Sequence, residues 1–191
     1  MGRLLLVRHG ESEGNRDRVF TETPEVPLTP IGQDQARVTA AYIREHYAPE
    51  LLVSSSYLRA RQTAEIMNEL LRLPHEVDDD LRERSYGVLA GKPYDTARPG
   101  FDPHNYWRWA PPGGETLEEV AARVGRALDR IARRAGVADA VVVSHGGVMM
   151  ALWRHVTGDW ARPGRVVRNA GILLVEHDGG CYRAATLLDS P

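Results

Sequence analysis

Two short apolar segments constrain the fold of this chain most strongly, because each of them ends at a histidine and a glycine. The first covers residues 4–7 and leads into Arg8-His9-Gly10, and the second covers residues 140–143 and leads into Ser144-His145-Gly146. Short, continuous apolar runs of this kind are typical of strands buried on both faces of a parallel sheet. Ligands bind such sheets at the carboxyl ends of the strands, and a glycine lets the backbone approach a ligand closely. The two strand ends therefore predict one shared site that contains both histidines.

The segments around these strands predict an α/β fold. Thr29 followed by Pro30 is a strong helix start, and Thr116 with Glu119 resembles a capping box. Two more helices are expected to begin near Ser56 and just after His145. Further strands are expected at residues 51–54, 165–167, 172–176 and 182–187. Strands that alternate with helices predict a three-layer αβα sandwich with a mostly parallel central sheet.

The remaining stretches have irregular sequence patterns. Residues 11–28 are expected to form a polar loop, and residues 76–77 and 81–82 short extended pieces. Residues 92–114 contain five prolines and several aromatic side chains, which predicts a small irregular cap or lid. At 191 residues the chain has the length of a single domain, with residues 92–114 as its cap segment.

Charge and cysteine content narrow the range of partners. The chain has 24 basic and 26 acidic residues, a formal net charge of −2, which argues against nucleic acid or an anionic membrane as the main partner. Cys181 is the single cysteine, so an intramolecular disulfide and a cysteine-built zinc site are excluded. The apolar run at residues 4–7 is too short for a membrane span or a signal-peptide core. We expect a cytoplasmic protein, and a homodimer stays open as its oligomeric state.

One predicted helix carries four arginines along one face: Arg123, Arg126, Arg130 and Arg133. Glu119 and Asp129 each stand four residues before one of them, which is the favourable order for ion pairs on a helix. The pattern predicts a solvated, ion-paired face, with nucleic-acid binding as the alternative interpretation.

The residues at the strand ends are suited to phosphoryl transfer. A neutral histidine nitrogen can attack phosphorus and hold the phosphoryl group covalently, while arginine forks neutralise its oxygens. Arg8 and Arg59 are the candidate arginines, although Arg8 and His9 converge only if the chain turns at Gly10, since adjacent strand residues point to opposite faces. The leaving oxygen needs a proton, for which Glu83 is the candidate donor, and the substrate phosphate would favour its protonated form.

Six ordered blocks resemble the histidine phosphatase superfamily, in its phosphoglycerate-mutase-like branch, over essentially the whole chain. The matching blocks lie at residues 8–15, 27–36, 54–64, 81–87, 112–116 and 143–147. The resemblance implies that His9 becomes phosphorylated and that Glu83 is the proton donor. The implied phosphate pocket consists of Arg8, Arg59 and His145. The implied contacts to phosphate or substrate are Ser12, Asn15, Tyr86 and the Gly146 amide. No metal or cofactor is implied, and the expected substrate is a small phosphorylated metabolite.

Alternatives stay open within this interpretation. His9, His145 and Glu83 could form a zinc site, although two arginines beside them would repel the cation. The chain also resembles the mutases at residues 83–87 and 112–115. It lacks their insertion that grips a second charged group, and it carries Glu22 where they have glycine, which is expected to place a carboxylate where phosphosugar acids would be repelled. We therefore favour a metal-independent phosphatase, with a cofactor-dependent phosphoglycerate mutase as the first alternative and a weakly active binding or scaffold protein as the second.

Overall fold

The sheet contains six strands that the sequence largely predicts. The computed structural model describes residues 1–160, 167–178 and 181–188. The strands are β1 (Gly2–Arg8), β2 (Pro49–Ser54), β3 (His75–Val77), β4 (Asp139–Ser144), β5 (Ile172–His177) and β6 (Tyr182–Leu187). Their order is β3-β2-β4-β1-β5-β6. The first four strands in this order run parallel, whereas β5 is antiparallel to both of its neighbours.

Helices cover both faces of this sheet. They are α1 (Glu13–Arg16), α2 (Pro30–His46), α3 (Leu58–Leu71), α4 (Leu117–Ala135) and α5 (Gly146–Thr157). One face of β1, with Leu5 and Val7, packs in a cluster with α2 and α3. The other face, with Leu4 and Leu6, packs in a cluster with α4 and α5. Because β1 is covered on both sides, it is apolar from Leu4 to Val7. The predicted three-layer αβα architecture with a mostly parallel sheet is confirmed.

The two predicted helix caps, at Thr29 and Thr116, have the expected geometry. The Thr29 hydroxyl accepts a hydrogen bond from the Gly32 amide at 3.1 Å, and Pro30 occupies the first helical position. At the start of α4, the Thr116 hydroxyl accepts from the Glu119 amide at 3.1 Å, and Glu119 Oε2 accepts from the Thr116 amide at 2.7 Å. These caps satisfy amides that have no partner inside the helix.

Several boundaries differ from the sequence prediction. The loop at residues 11–28 contains α1, which is capped by Ser12. Leu81 is fully buried and ends a 3-10 turn (Asp79–Leu81) instead of an extended piece. Residues 92–114, all of them described, form turns and bends without a helix or strand of their own. Of the predicted strand at residues 165–167, residues 165 and 166 lie outside the described residues, and Val167 is irregular.

The prediction of a solvated basic face on α4 is wrong for Arg123. This residue is 6% exposed and pairs with Glu115. Glu119 is used in the helix cap, and Asp129 accepts a hydrogen bond from Tyr182 and pairs with His155. A local cap contact for Glu119 and long-range contacts for Asp129 therefore replace the expected pairs along the helix. None of the described helices is long and apolar enough to cross a membrane.

Candidate active site

A cavity of about 310 Å³ lies at the carboxyl ends of β1 and β4. Eight of the nine predicted site residues line it: Arg8, His9, Ser12, Asn15, Arg59, Glu83, Tyr86 and Gly146. The ninth, His145, is fully buried beside it, with its ring centroid 5.2 Å from that of His9. The structure thus brings together residues from four separate parts of the chain, at positions 8–15, 59, 83–86 and 145–146.

The turn that we expected at Gly10 is not present, because the backbone there has neither a turn nor a bend, but the position is tightly packed. The His9 amide donates to the Ser144 carbonyl at 2.8 Å, which continues the pairing of β1 with β4. The Gly10 amide then donates to the Thr63 hydroxyl at 3.1 Å. A Cβ on Gly10 would stand 2.2 Å from the Gly32 carbonyl oxygen, so only glycine lets the chain pass the start of α2. Arg8, the last residue of β1, and His9, which follows it, both line the cavity.

The His9 ring is held with one nitrogen protonated and the other unprotonated. Nδ1 lies 2.7 Å from the Gly10 carbonyl oxygen, and because a carbonyl can only accept, Nδ1 carries the hydrogen. Burial, and then the charges of Arg59 and Arg8, hold the pKa of His9 well below its ordinary value, so the ring is neutral. Nε2 therefore carries no hydrogen, and its lone pair accepts a hydrogen bond from Arg59 Nε at 3.2 Å. This is the form in which histidine is a nucleophile.

Two guanidinium groups flank this nitrogen. Arg59, in the first turn of α3, is 2% exposed, and its Nη groups donate to the Thr21 and Thr23 carbonyls at 3.2 and 3.3 Å. Arg8 donates from Nη1 to the Val167 carbonyl at 3.0 Å, while its buried Nε has no partner among the described residues. The two arginines place positive charge around His9 Nε2, where an anionic group would be stabilised.

His145 and the start of α5 form the rear of the cavity. His145 Nε2 lies 2.8 Å from the Ser55 hydroxyl, and its buried Nδ1 has no partner in the described part of the chain. Burial, followed by the charge of Arg59, lowers the pKa of His145 well below its ordinary value. α5 begins at Gly146, so its free amides and positive dipole end point at the cavity. This combination favours a bound phosphate.

Glu83 approaches the same helix start. It is 6% exposed, and its Oε1 accepts from the Arg84 amide at 2.8 Å, while Oε2 lies 3.4 Å from the Gly147 amide. The carboxyl group therefore stands beside Gly146 and Gly147, where a leaving oxygen of a bound phosphate ester could receive its proton.

Asn15 is oriented by a residue that the sequence analysis missed. Its Oδ1 accepts from the Ser12 amide at 3.2 Å and from Asn169 Nδ2 at 3.0 Å. Asn169 Nδ2 also donates to the His9 carbonyl at 3.1 Å. With Oδ1 occupied, Asn15 turns its NH₂ group, a donor, towards Tyr94 and the cavity. Asn169 lies far along the chain outside any motif, so the sequence offered no signal for it.

The outer wall of the cavity is largely aromatic. It includes Phe20, Tyr86, Tyr94, Phe101, Tyr106 and Trp109. Burial, and then the nearby Glu83 carboxylate, raise the pKa of Tyr86, so its hydroxyl stays neutral. Two further arginines were not predicted as site residues. Arg84 donates to the carbonyls of Glu115 and Trp109 at 2.6 and 2.7 Å, and the Arg98 guanidinium lies 5.2 Å from the Phe20 ring centroid.

Glu22 does not stand in this cavity as we predicted. Its carboxylate accepts hydrogen bonds from the Ser85 hydroxyl at 3.0 Å and from the amides of Tyr86 and Gly87 at 2.9 and 3.1 Å. The side chain therefore supports the segment that follows Glu83. Because its carboxylate is held by these donors and does not line the cavity, Glu22 gives no evidence against a mutase.

The described residues do not assemble a metal centre. Within residues 1–160, 167–178 and 181–188, no group of three or more His, Cys, Asp or Glu side chains could hold a metal ion. His9 Nε2 faces the Arg59 guanidinium, and His145 Nε2 faces the Ser55 hydroxyl. The zinc alternative therefore has no support from the geometry.

Comparisons of the sequence with known proteins find phosphatases and phosphoglycerate mutases. A model of the histidine phosphatase superfamily (branch 1) matches residues 4–190. The "uncharacterized phosphatase PhoE" of Bacillus subtilis is 33% identical over 158 residues, 83% of this chain and 79% of that protein. A 2,3-bisphosphoglycerate-dependent phosphoglycerate mutase of Methylobacterium is 35% identical over 164 residues, 78% of this chain and 77% of that protein.

Solved structures agree with the sequence matches. The mycobacterial glucosyl-3-phosphoglycerate phosphatase, solved with VO3, superposes with a TM-score of 0.85 at 27% identity, covering 99% of both chains. Some relatives are longer: the chain spans 41% of a bifunctional protein of Mycobacterium tuberculosis, to which it is 36% identical over 149 residues, 75% of this chain.

Proposed function

The chain belongs to the histidine phosphatase superfamily (branch 1), and from this premise we propose that it is a metal-independent phosphatase of small phosphate monoesters with His9 as nucleophile. The family contains both phosphatases and phosphoglycerate mutases, so the chain is an enzyme of this superfamily. The observation that carries the proposal is the neutral His9 ring, whose Nδ1–H is bonded to the Gly10 carbonyl and whose Nε2 accepts a hydrogen bond from the Arg59 guanidinium.

The first half of the reaction forms a phosphohistidine. The lone pair of His9 Nε2 attacks phosphorus, the bond from phosphorus to the ester oxygen breaks, and that oxygen takes the proton of the Glu83 carboxyl group. Arg8, Arg59 and the amide of Gly146 neutralise the charge on the non-bridging oxygens. The alcohol leaves, and the proton that Glu83 supplied leaves with it.

The second half returns the enzyme to its starting state. The Glu83 carboxylate takes a proton from water as the water oxygen attacks phosphorus, and the bond from phosphorus to Nε2 breaks. The electron pair of that bond goes back to His9, and inorganic phosphate is released. A histidine nucleophile with a carboxyl acid therefore completes the cycle without a metal ion.

The lining of the outer cavity supports a phosphatase over a mutase. A phosphoglycerate mutase must hold a second charged group on its substrate, which requires free cationic donors. Here two donors of Arg84 are engaged by backbone carbonyls, and Arg98 donates to the Tyr94 carbonyl at 2.8 Å with its guanidinium over the rings of Phe20 and Phe101, so neither arginine is fully available to a second charged group. An aromatic wall is suited to the organic part of a monoester. Relatives act on small phosphorylated metabolites, which supports the same substrate class for this chain. A homodimer and a cytoplasmic location stay predictions.

Turnover of a panel of phosphate monoesters in EDTA tests this proposal. The panel includes an aryl phosphate and 3-phosphoglycerate with and without its bisphosphate primer, and both free phosphate and product isomers are followed. We expect free phosphate with little isomerisation, activity abolished in His9→Ala, and activity kept in His46→Ala, a control on an exposed histidine of α2. Fast isomerisation without phosphate release would make the protein a mutase. Binding of phosphate esters without turnover or phosphohistidine would indicate a scaffold.

A further inference from the structure

Every donor of Arg123, on α4, is hydrogen-bonded. Three donors bind the segment that carries Glu83, and two bind Glu115, which itself binds that segment. A guanidinium has five N–H groups. Two of them, on Nε and Nη2, donate to Glu115 Oε1 and Oε2 at 3.0 and 2.9 Å. The other three donate to backbone carbonyls of Asp80 and Arg82, both at 2.8 Å, and of Glu83 at 3.1 Å.

Glu115 completes this arrangement on the other side of Glu83. Its Oε2 also accepts from the Ser85 amide at 2.9 Å. Burial would raise the pKa of Glu115, but the hydrogen bonds from Arg123 and the Ser85 amide outweigh it and lower the pKa, so the group is a carboxylate. The ion pair thus binds the backbone both before and after the proton donor.

The side chain of Glu83 has little else to orient it. Among the described residues, it accepts hydrogen bonds from two backbone amides, and the one from Gly147 is long at 3.4 Å. The position of the carboxyl group therefore follows from the position of its backbone. A buried ion pair contributes little net stability, because desolvation offsets the attraction, so a bidentate pair with three further bonds serves mainly to fix geometry.

We propose that Arg123, together with Glu115, is a positioning residue that holds the backbone of residues 80–85 so that the Glu83 carboxyl group meets the leaving oxygen. The inference rests on the proposed function, in which Glu83 is the proton donor. Arg123 touches neither substrate nor reacting atoms, so its effect is confined to the steps in which Glu83 moves a proton.

Leaving groups of different basicity separate positioning from a structural role. An alkoxide needs a proton as it departs, whereas p-nitrophenolate departs readily without one. We therefore compare kcat/KM for glycerol phosphate with kcat/KM for p-nitrophenyl phosphate in each variant. Partial unfolding removes active enzyme and lowers both constants by the same factor, so the ratio of the two is unaffected by a loss of stability.

The variants are Arg123→Lys, Glu115→Gln, Glu83→Gln as reference and Arg130→Gln as matched control. Arg130 lies on the same helix and bonds Asp78 and Asp80 at the exposed surface, at 2.8 and 2.9 Å. We expect Arg123→Lys and Glu115→Gln to lower kcat/KM for the alkyl ester by about 10- to 100-fold and for the aryl ester by less than about threefold. Arg130→Gln is expected to leave the ratio unchanged.

The outcomes distinguish a failure of the positioning role of Arg123 from a failure of the proposed function. An unchanged ratio in Arg123→Lys and Glu115→Gln, or an equal change in Arg130→Gln, overturns the positioning role of Arg123. An unchanged ratio in Glu83→Gln means that Glu83 is not the proton donor, and then the mechanism of the proposed function fails instead.

Discussion

Replacing Gly147 with alanine tests where the carboxyl group of Glu83 stands during catalysis. A Cβ at this position would lie 2.6 Å from Glu83 Oε1, whereas ordinary van der Waals contacts begin at 3.4 Å. The carboxyl group must therefore move by about 0.8 Å, and misplacement by about 1 Å can cost on the order of 10²-fold in rate. We expect kcat/KM for an alkyl phosphate to fall roughly 30- to 100-fold.

The same substitution is expected to leave the fold intact. The next neighbour of the added Cβ is Arg84 Cβ at 3.5 Å, an ordinary contact. Gly147 is the second residue of α5, and alanine stabilises a helix by up to about 1 kcal/mol relative to glycine. The melting temperature is therefore expected to stay the same or rise while activity falls.

A double-mutant cycle identifies the cause of the loss. The wild type, Gly147→Ala, Glu83→Gln and the double variant are assayed for kcat/KM with glycerol phosphate. If Gly147→Ala acts by displacing Glu83, the double variant loses no more activity than Glu83→Gln alone. Full activity in Gly147→Ala, or losses that multiply in the double variant, would refute this placement of Glu83.

Three further predictions follow from the buried site. The pKa of His145 lies well below 6.5, so the unfolded chain binds a proton on acidification that the folded protein does not. Urea titrations give the unfolding free energy of the wild type and of His145→Gln at each pH. The wild-type value minus the variant value should fall by about 1.4 kcal/mol for each pH unit below pH 6.5. A difference that does not depend on pH contradicts this prediction. Gly10→Ala forces a Cβ to within 2.2 Å of the Gly32 carbonyl oxygen and should lower the unfolding free energy by about 2 to 3 kcal/mol; a loss under about 0.5 kcal/mol in urea unfolding argues against this tight packing. Trp109→Ala should raise KM for aryl phosphates about three- to tenfold while inhibition by inorganic phosphate is unchanged; an unaltered KM means that the aromatic wall does not contact substrate.

The parts of the molecule that local sequence determines were predicted. The apolar strands and the caps at Thr29 and Thr116 depend on residues within a few positions of one another. The convergence of His9 and His145 follows from a general rule for parallel sheets. The family assignment is confirmed, because the motifs record these local requirements in order along the chain.

The parts that depend on distant partners were missed. Arg123 has a helical pattern typical of a solvated face, and only the fold brings Glu115 and the carbonyls before Glu83 against it. Asn169 and Glu22 likewise act through backbone groups far away in sequence. Backbone donors and acceptors are the same in every residue, so a sequence does not indicate which of them a side chain will bind.

The central position of β1 also determines when the enzyme can become active as it folds. This strand pairs with β4 on one side and with β5 on the other, and both partners come late in the chain. Closing such long loops is slow, since entropy is lost before the distant pairing is gained. A nascent or refolding chain can thus form α2 and α3 early, yet it has no nucleophile in place until its last central strands are added. Recovery of activity is expected to coincide with the slowest folding phase, and a ribosome must complete β5 before the site exists.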